Sequence, residues 1–414
     1  MHRQIGVTMM ALLGLGLMAV SGPAALAQRG GNSTQKPAPA ASSSAPRFEV
    51  EVLWPKPLPN HWILGSVTGV AVDAQDHVWV LHTASSATPN TELGTGTNPP
   101  TAEYCCSAAP PVLEFDAAGN LLGHWGGPGQ GYDWPKAPGG ITVDAKGNVW
   151  IAAAGWPEPP APGRGGRGRG AATADPATPP PPPPPPSHDA HILKFSRDGK
   201  FLQQIGKPGV SEGSASKTAF NRPANIEFDA AANELYVADG YGNHRVVVLD
   251  ANTGAYKRHW GAYGAAPDDA NAGNYDPAAP AAKQFRQVTC VTLAKDGTVY
   301  VCDRTNDRIQ SFKKDGTFIK EASVAKETLA NGSVWDIALS ADPQQRYLFV
   351  ADGQSHRIVI LQRDTMAQVG TLGVGGRIPG RFNAPSTVAV DSRGNLYTGE
   401  TFQGQRVQKF VPGK

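Results

Sequence analysis

Apolar and polar residues alternate along most of the chain in short runs that end in turns rich in Asp and Gly. One kind of run ends at Asp73, Asp144, Asp229 and Asp391, and a second apolar run follows each turn, as at 148–151. Period-two alternation broken by such turns is typical of antiparallel β-hairpins. The pattern therefore predicts paired β-strands along the chain.

The hairpins belong to a longer unit of four strands, which recurs at a minimum spacing of roughly 45 to 50 residues, the period of a propeller blade. Third strands begin at Arg245, Arg308, Arg357 and Arg406, and fourth strands end near glycines. The first strands of six units begin near Thr68, Gly139, Ala224, Thr289, Trp335 and Ser386. The repeats predict an all-β fold, a six-bladed β-propeller of four-stranded antiparallel blades.

The two ends of the repeat region complement each other. The last unit stops after its third strand, at Phe410, while an unpaired alternating strand lies at 48–54. Pairing these two segments would close the ring and remove the exposed edges of a linear array. We therefore predict a single propeller at 48–414, closed by its N-terminal strand.

Two insertions, 83–110 and 154–189, interrupt the period between the second and third strands of their blades. The second insertion is rich in Arg and Gly and contains a run of prolines, which favours an extended, semi-rigid spacer. Connections between second and third strands all leave the same side of a propeller, called the upper face below. Both insertions are therefore expected on the upper face.

The first 27 residues have the features of a secretory signal peptide: a basic start, an apolar segment at 9–20 and the sequence Ala-Leu-Ala at 25–27. The apolar segment is far shorter than the roughly 20 residues that span a bilayer. Residues 28–47, rich in Ala, Ser and Pro, are predicted to be a flexible leader. We expect a periplasmic or secreted protein, cleaved near Ala27, with no membrane span.

The charge pattern narrows the class of partner. The formal net charge is only +2 on 414 residues, with both signs spread along the chain. No strongly basic or acidic field therefore indicates a nucleic acid partner. We expect a monomer whose partner is a peptide, a protein or a small molecule.

Four cysteines are present. Cys290 and Cys302 fall on two strands joined by a turn, so they form either a disulfide, which export permits, or two buried thiols. The adjacent Cys105 and Cys106 are predicted to be either two separate thiols or partners of another group.

The innermost strands place two rings of residues around the central channel. The first ring contains the six starting residues named above, and the second contains Gly69, Gly140, Asn225, Cys290, Asp336 and Thr387. Zinc requires several His, Cys or carboxylate ligands and calcium requires six to eight oxygens, whereas these rings offer only Cys290 and Asp336. We therefore predict no cofactor, and neither zinc nor calcium in the channel.

Residues that depart from the repeat are the best candidates for a ligand site. Tyr241 and Arg304 differ from their equivalents in other blades, and together they could hold a ligand carboxylate; alternatively they are exposed rim residues. Trp335 and Asp336 form either an aromatic and acidic wall for a polar ligand or a plug in the channel. Asn225, in the second ring, completes the set.

Residues that recur between blades are interpreted as structural. The acids Asp239, Asp303, Asp352 and Glu400 end the second strands, and we expect the arginines that begin the third strands to pair with them between blades. His244 and His356 are likewise equivalent to each other. By contrast, His82, His188 and His191 lie beside the insertions, where they either gather near the channel mouth or remain solvated loop residues.

Particular motifs resemble NHL-repeat propellers: Phe-Asn-Arg-Pro at 220–223, Phe-Asn-Ala-Pro at 382–385, and the segment 237–246. The likeness covers nearly all of 48–412 and is strongest to the peptidyl-α-hydroxyglycine α-amidating lyase. That resemblance implies functional roles for Tyr241 and Arg304. It also implies a zinc ion held by three histidines, but the matching positions here are Gly139, Thr289 and Ser386. Further departures are Thr83, in place of a second arginine, and Thr387, in place of a calcium-binding aspartate.

Two functions follow from these features. The first is an exported, non-catalytic propeller that binds a peptide, protein or small ligand on the upper face. The alternative is an enzyme related to the amidating lyase (peptidylamidoglycolate lyase) or to a propeller lactonase. Its site would be rebuilt around Tyr241, Arg304, Asp336 and loop histidines.

Overall fold

The computed structural model describes residues 45–88, 92–155, 188–270 and 272–413. The predicted signal peptide at 1–27, the leader up to residue 44 and most of the second insertion, 156–187, lie outside the described residues.

The strands form six four-stranded antiparallel sheets, as the repeats predict. The chain begins with β1 (Phe48–Val50) and β2 (Trp62–Ile63). Blade 1 contains β3 (Ser66–Val72), β4 (Val78–Thr83), β6 (Val112–Phe115) and β7 (Leu121–Trp125). Blade 2 contains β8 (Pro138–Val143), β9 (Val149–Ala153), β10 (His191–Phe195) and β11 (Phe201–Gly206). Blade 3 contains β12 (Asn225–Asp229), β13 (Glu234–Asp239), β14 (Arg245–Asp250) and β15 (Tyr256–Trp260).

The second half of the chain repeats this arrangement. Blade 4 contains β16 (Val288–Leu293), β17 (Val299–Asp303), β18 (Arg308–Phe312) and β19 (Phe318–Ser323). Blade 5 contains β20 (Asp336–Leu339), β21 (Tyr347–Asp352), β22 (Arg357–Gln362) and β23 (Gln368–Leu372). Blade 6 contains β24 (Pro385–Val390), β25 (Leu396–Glu400), β26 (Arg406–Pro412) and the N-terminal β1.

Pairing between the two ends closes the ring. β1 runs antiparallel to β26, with Phe48 opposite Pro412 and Val50 opposite Phe410. The first strand of each blade contacts the first strand of the next, and β24 of blade 6 contacts β3 of blade 1. The predicted six-bladed propeller and its closure are therefore confirmed.

A few short secondary-structure elements lie outside the six blade sheets. In the first insertion, β5 (Ser107–Ala108) pairs in parallel with β2. The described helices are single 3₁₀ turns at Pro59–His61, Ala84–Ser86, Ala262–Gly264 and Arg304–Asn306. Within the described ranges, no helix combines the length and apolar character needed to cross a membrane.

The repeated acids at the ends of first strands are structural. Asp73 accepts hydrogen bonds from the backbone N–H groups of Gln75 and His77, each at 2.9 Å, and from the indole N–H of Trp79 at 3.0 Å. Asp73 thus closes its turn and also satisfies the polar atom of an aromatic ring that packs between blades. Equivalent bonds join Asp144 to Trp150 and Asp391 to Tyr397.

The acids at the ends of second strands pair with arginines of the same blade, so the prediction of pairing between blades was wrong. Asp239 lies directly opposite Arg245 in the register of β13 and β14, and their side chains meet at 2.9 Å. Hairpin register explains the outcome, because residues opposite each other on neighbouring strands share one face of the sheet. The other pairs of this kind are Asp303–Arg308, Asp352–Arg357 and Glu400–Arg406.

Both cysteine pairs form disulfides. Cys290 and Cys302 are opposite each other on β16 and β17, with Cα atoms 4.9 Å apart. Cys290 is fully buried in this hairpin, so it does not present a thiol to the channel. Cys105 and Cys106 are also joined, which corrects the expectation of two separate thiols.

The two disulfides should differ in their contribution to stability. Replacing both Cys290 and Cys302 with alanine is expected to lower the free energy of unfolding by about 2–3 kcal/mol, because their bond closes a loop with a sequence separation of 12. The matched double replacement of Cys105 and Cys106 removes a bond between neighbours, which closes no such loop. Urea unfolding of both variants tests this, and equal losses would contradict it.

Candidate functional site

A cavity of about 250 Å³ opens at the upper mouth of the central channel. All six residues of the first ring line it, from Thr68 in blade 1 to Ser386 in blade 6. It also contains each of the five ligand-binding candidates, which come from blades 3, 4 and 5: Asn225, Tyr241, Arg304, Trp335 and Asp336. Residues selected because they depart from the repeat thus converge on one pocket.

Arg304 is at the centre of the pocket wall. It directly follows β17, and its guanidinium carbon lies 3.6 Å from the centroid of the Trp335 ring, close enough for a cation–π contact. Its Nε donates to the carbonyl of Asn331 at 2.6 Å, and its Nη1 donates to the Tyr241 hydroxyl at 3.5 Å. These contacts fix the guanidinium plane beside the cavity.

Within the described part of the chain, no neighbouring acid neutralises the charge of Arg304. The residue is only 8% exposed, and burial lowers the pKa of its guanidinium. Among the described residues, no carboxylate forms an ion pair with it, and its Nη2 has no hydrogen-bond acceptor. A buried cation of this kind favours an anion in the adjacent cavity.

Trp335 and Phe402 form an aromatic side of the pocket. Their rings meet edge to face, with centroids 6.0 Å apart, and Phe402 remains about half exposed at the rim. The indole N–H of Trp335 donates to the carbonyl of Gly332 at 2.6 Å. Trp335 therefore lines the cavity wall, with its polar atom satisfied behind it.

Asp336 lies at the floor of the pocket and ties blade 5 to blade 6. Its Oδ2 accepts hydrogen bonds from the Thr387 hydroxyl and from the backbone N–H of Val388, both at 2.9 Å. Its Oδ1 accepts the backbone N–H of Ile337 at 2.9 Å. Burial raises the pKa of this carboxyl to about 6. Its oxygens thus already serve a structural role.

Arg222 is a pocket residue that the sequence interpretation missed. Its side chain is 6% exposed, and its guanidinium lies 5.2 Å from the centroid of the Tyr241 ring. Its Nη1 donates to the backbone carbonyl of Tyr241 at 2.9 Å, and its Nε donates to that of Ala154 at 3.1 Å. Burial lowers the pKa of Arg222 to about 10, so it remains a cation at neutral pH.

The positions that correspond to zinc ligands in the lyase do not fit zinc. Gly139 has no side chain, the Thr289 hydroxyl donates to the carbonyl of Trp335 at 3.0 Å, and the Ser386 hydroxyl donates to that of Val67 at 2.8 Å. Zinc in proteins is bound by Cys, His or carboxylate groups, which none of these residues supplies.

The loop histidines do not gather at the channel mouth. His82 is fully buried, where its Nδ1 accepts the Gly65 N–H and its Nε2 donates to the Pro110 carbonyl, both at 3.0 Å. Burial lowers the pKa of His82 to about 4, so it is neutral at physiological pH. His191 donates to the Asp133 carbonyl at 2.7 Å, and His188 does not line the pocket. His82 and His191 are thus buried, which corrects the expectation that they are solvated loop residues.

One group of possible metal ligands lies elsewhere in the described chain: Asp73, His77 and Glu114. Arg197 already occupies the space between them. Its Nη2 lies 3.0 Å from Asp73 and also contacts both Glu114 and His77. The group is an ion-pair network that joins neighbouring blades.

Below the pocket, Glu227 faces the lower part of the channel together with Asp336. Burial, and secondarily the charges of Asp336 and Asp229, raise the pKa of Glu227 from 4.5 to about 8. The folded protein therefore binds this proton more tightly than the unfolded chain, so stability is lost as pH rises from about 4.5 to about 8.

Glu227→Gln should reverse that loss. The variant is expected to melt at a higher temperature than the parent protein at pH 8.5, and the difference should vanish near pH 4.5. Glu234 is a matched control in the same blade, because the hydrogen bonds from Arg258 hold its pKa near 2. Its carboxylate stabilises the fold above about pH 4.5, so Glu234→Gln should lower the melting temperature at pH 7. Melting curves of both variants at pH 4.5, 7 and 8.5 test these opposite effects on the melting temperature.

The fold and the site together define a six-bladed β-propeller with a cationic, partly aromatic pocket at the mouth of its channel. No protein-family model matches the chain. Over 226 residues, it is 27% identical to NHL repeat-containing protein 3 of Homo sapiens, covering 53% of this chain and 58% of that protein. This similarity in sequence agrees with the resemblance of its motifs to NHL repeats.

A second relative is an enzyme. Over 250 residues, the chain is 25% identical to peptidyl-glycine alpha-amidating monooxygenase A of Xenopus laevis, covering 54% of this chain and 24% of that protein. The chain spans less than two thirds of the length of either relative. The solved structure described as "Streptogramin B lyase structure" aligns with a TM-score of 0.49 at 12% identity, covering 89% of this chain and 98% of that one.

Proposed function

We propose that this protein is a non-catalytic binding module whose upper-face pocket holds a small ligand with a carboxylate group. The observation that carries the proposal is Arg304, a buried guanidinium beside the cavity with no carboxylate partner among the described residues. A ligand carboxylate would neutralise this charge and accept hydrogen bonds from its Nη atoms.

The size and lining of the cavity narrow the class of ligand. About 250 Å³ is slightly below the usual range for small-molecule sites, roughly 300–1,000 Å³. Such a space suits a single small molecule or the last residue of a peptide. Trp335 and Phe402 offer an aromatic surface beside Arg304, so an aromatic or apolar group next to the carboxylate should improve affinity.

A pair of neutral and charged probes tests the proposal. Hippurate (N-benzoylglycine) carries a carboxylate beside an aromatic group, and hippuramide is the same molecule with a neutral amide. Titration calorimetry on the protein from residue 28 onward should show saturable binding of hippurate. Hippuramide should bind at least roughly tenfold more weakly, because a hydrogen bond to a charged group contributes about 1.5–3 kcal/mol. Equal affinity for both probes, or binding of neither, would refute the proposal.

A lyase is the second candidate, because Arg304 contacts the Tyr241 hydroxyl and the chain is similar to an amidating monooxygenase. A phenol held by a guanidinium beside a cavity could exchange a proton with a bound substrate. Incubation with α-hydroxyhippurate distinguishes the two functions. Glyoxylate release that is lost in Tyr241→Phe would establish the lyase, whereas saturable binding without glyoxylate would favour the binding module.

We also propose that the protein acts in the periplasm or outside the cell, as a monomer. Support comes from the signal-like residues 1–27 and from the two disulfides, which form in oxidising compartments. Mass spectrometry of the protein from the cells that produce it should give a mature N-terminus near Gln28. A chain that retains residues 1–27 would overturn this proposal.

A further inference from the structure

Two guanidinium groups, from different blades, contact the same tyrosine in the pocket. Arg304 reaches the Tyr241 hydroxyl, while Arg222 lies over the ring and donates to the tyrosine's own backbone carbonyl. Both side chains line the cavity and both are at least nine-tenths buried. The pocket wall therefore carries two fixed positive charges within reach of one small ligand.

The arginine at position 222 is not required by the turn that carries it. The Phe-Asn-Arg-Pro turn before β12 has an equivalent, Phe-Asn-Ala-Pro, before β24. Arg222 and Ala384 occupy the same place in these turns and adopt nearly the same left-handed backbone, with φ of 59° and 55°. Because alanine satisfies the turn in blade 6, the side chain of Arg222 has a separate role.

Among the described residues, the acids near the pocket carry less charge toward the cavity than the two arginines do. Asp336, on the floor, accepts three hydrogen bonds from neighbouring protein groups. Asp189 attracts Arg222, but it does not line the cavity, and its Oδ2 accepts the backbone N–H groups of Lys136, Ala137 and Gly155. Against these acids, the two arginines face the ligand space directly.

We propose that Arg222 determines specificity by selecting ligands that carry two anionic groups, such as dicarboxylates. The inference rests on the proposed function: one ligand carboxylate pairs with Arg304, and Arg222 attracts a second. A guanidinium recognises a carboxylate by charge and by its paired N–H donors. The bonds from Arg222 to Ala154 and Tyr241 hold its guanidinium at the wall, which limits the entropy lost on binding.

The test compares hippurate with N-benzoylaspartate, which adds one carboxymethyl group to the same framework. Wild-type protein should bind the dianion at least about tenfold more tightly at pH 7. Arg222→Gln should weaken binding of N-benzoylaspartate at least about fivefold more than binding of hippurate and so reduce this preference, while Arg222→Lys should keep part of the preference. Arg377→Gln is a charge-matched control: Arg377 is exposed, donates to the Gln403 carbonyl and lies outside the pocket, so the preference should persist.

The outcomes separate the two proposals. Hippurate binding without preference for the dianion in the wild type would overturn the inference and leave the proposed function standing. Binding of neither probe would overturn both. Equal loss of both affinities in Arg222→Gln, with a lowered melting temperature, would show that Arg222 only supports the wall and would also overturn the inference.

Discussion

Replacing Arg304 with glutamine is expected to weaken hippurate binding by about 10- to 100-fold, because the variant lacks the cation that would pair with the ligand carboxylate. Glutamine retains a polar side chain, but it cannot supply two parallel N–H donors or a cation–π contact with Trp335. Titration calorimetry of the wild type and the variant measures the ratio of dissociation constants.

Arg304→Lys refines the interpretation. Lysine keeps the charge but lacks the planar guanidinium. The hippurate affinity of Arg304→Lys should therefore fall between those of the wild type and Arg304→Gln. Binding of hippuramide should change little in either variant, because that probe has no charge. A uniform loss for both probes would indicate a collapsed pocket, and unchanged hippurate affinity would remove Arg304 from the site.

Arg245→Met should be among the most destabilising single changes in the protein. The side chain of Arg245 is 1% exposed and pairs with the fully buried carboxylate of Asp239. It also donates to the carbonyls of Ser214 at 2.9 Å and Ala219 at 2.6 Å. Methionine preserves much of the packing but leaves a buried carboxylate without its cation, a change that typically costs about 3–5 kcal/mol.

The repeat provides a matched control for that prediction. Arg357 forms the same pair with Asp352, but its side chain is 32% exposed, so water can replace part of the lost interaction. Asp352 is itself fully buried, so Arg357→Met should still destabilise the fold, by about 1–3 kcal/mol and less than Arg245→Met, because water can reach the vacated guanidinium position. Urea unfolding of both variants gives the two free energies, and similar losses would show that burial does not set the strength of these pairs.

The fold was predictable because its signals are local in sequence. Alternation, turn acids and blade spacing are each visible within a few tens of residues, and the spare strand at 48–54 matched the strand missing after Phe410. The ion-pair partners of the repeated arginines were harder to predict from the sequence. Whether Arg245 pairs within its blade or with a neighbour depends on hairpin register and side-chain direction, which the spacing of residues alone does not specify.

The site was predictable where a residue departs from its equivalents. That criterion selected Tyr241 and Arg304, and both line the pocket. Arg222 lies within a recurring turn motif, and Ala384 at the equivalent position of the other turn marks it as a departure too. Its route into the pocket also depends on a left-handed backbone, which sequence spacing does not reveal.

The sixth blade joins the two ends of the chain, and this has a kinetic consequence. Phe48 pairs with Pro412, so that sheet cannot be completed until almost the whole polypeptide is available. Contacts between residues so far apart in sequence form slowly, because they require closure of a very long loop. Blades 1 to 5 can each assemble from neighbouring segments, whereas the last blade must wait for the final strand. During synthesis, an incomplete ring would therefore present two open edges until the strand that ends at Pro412 emerges.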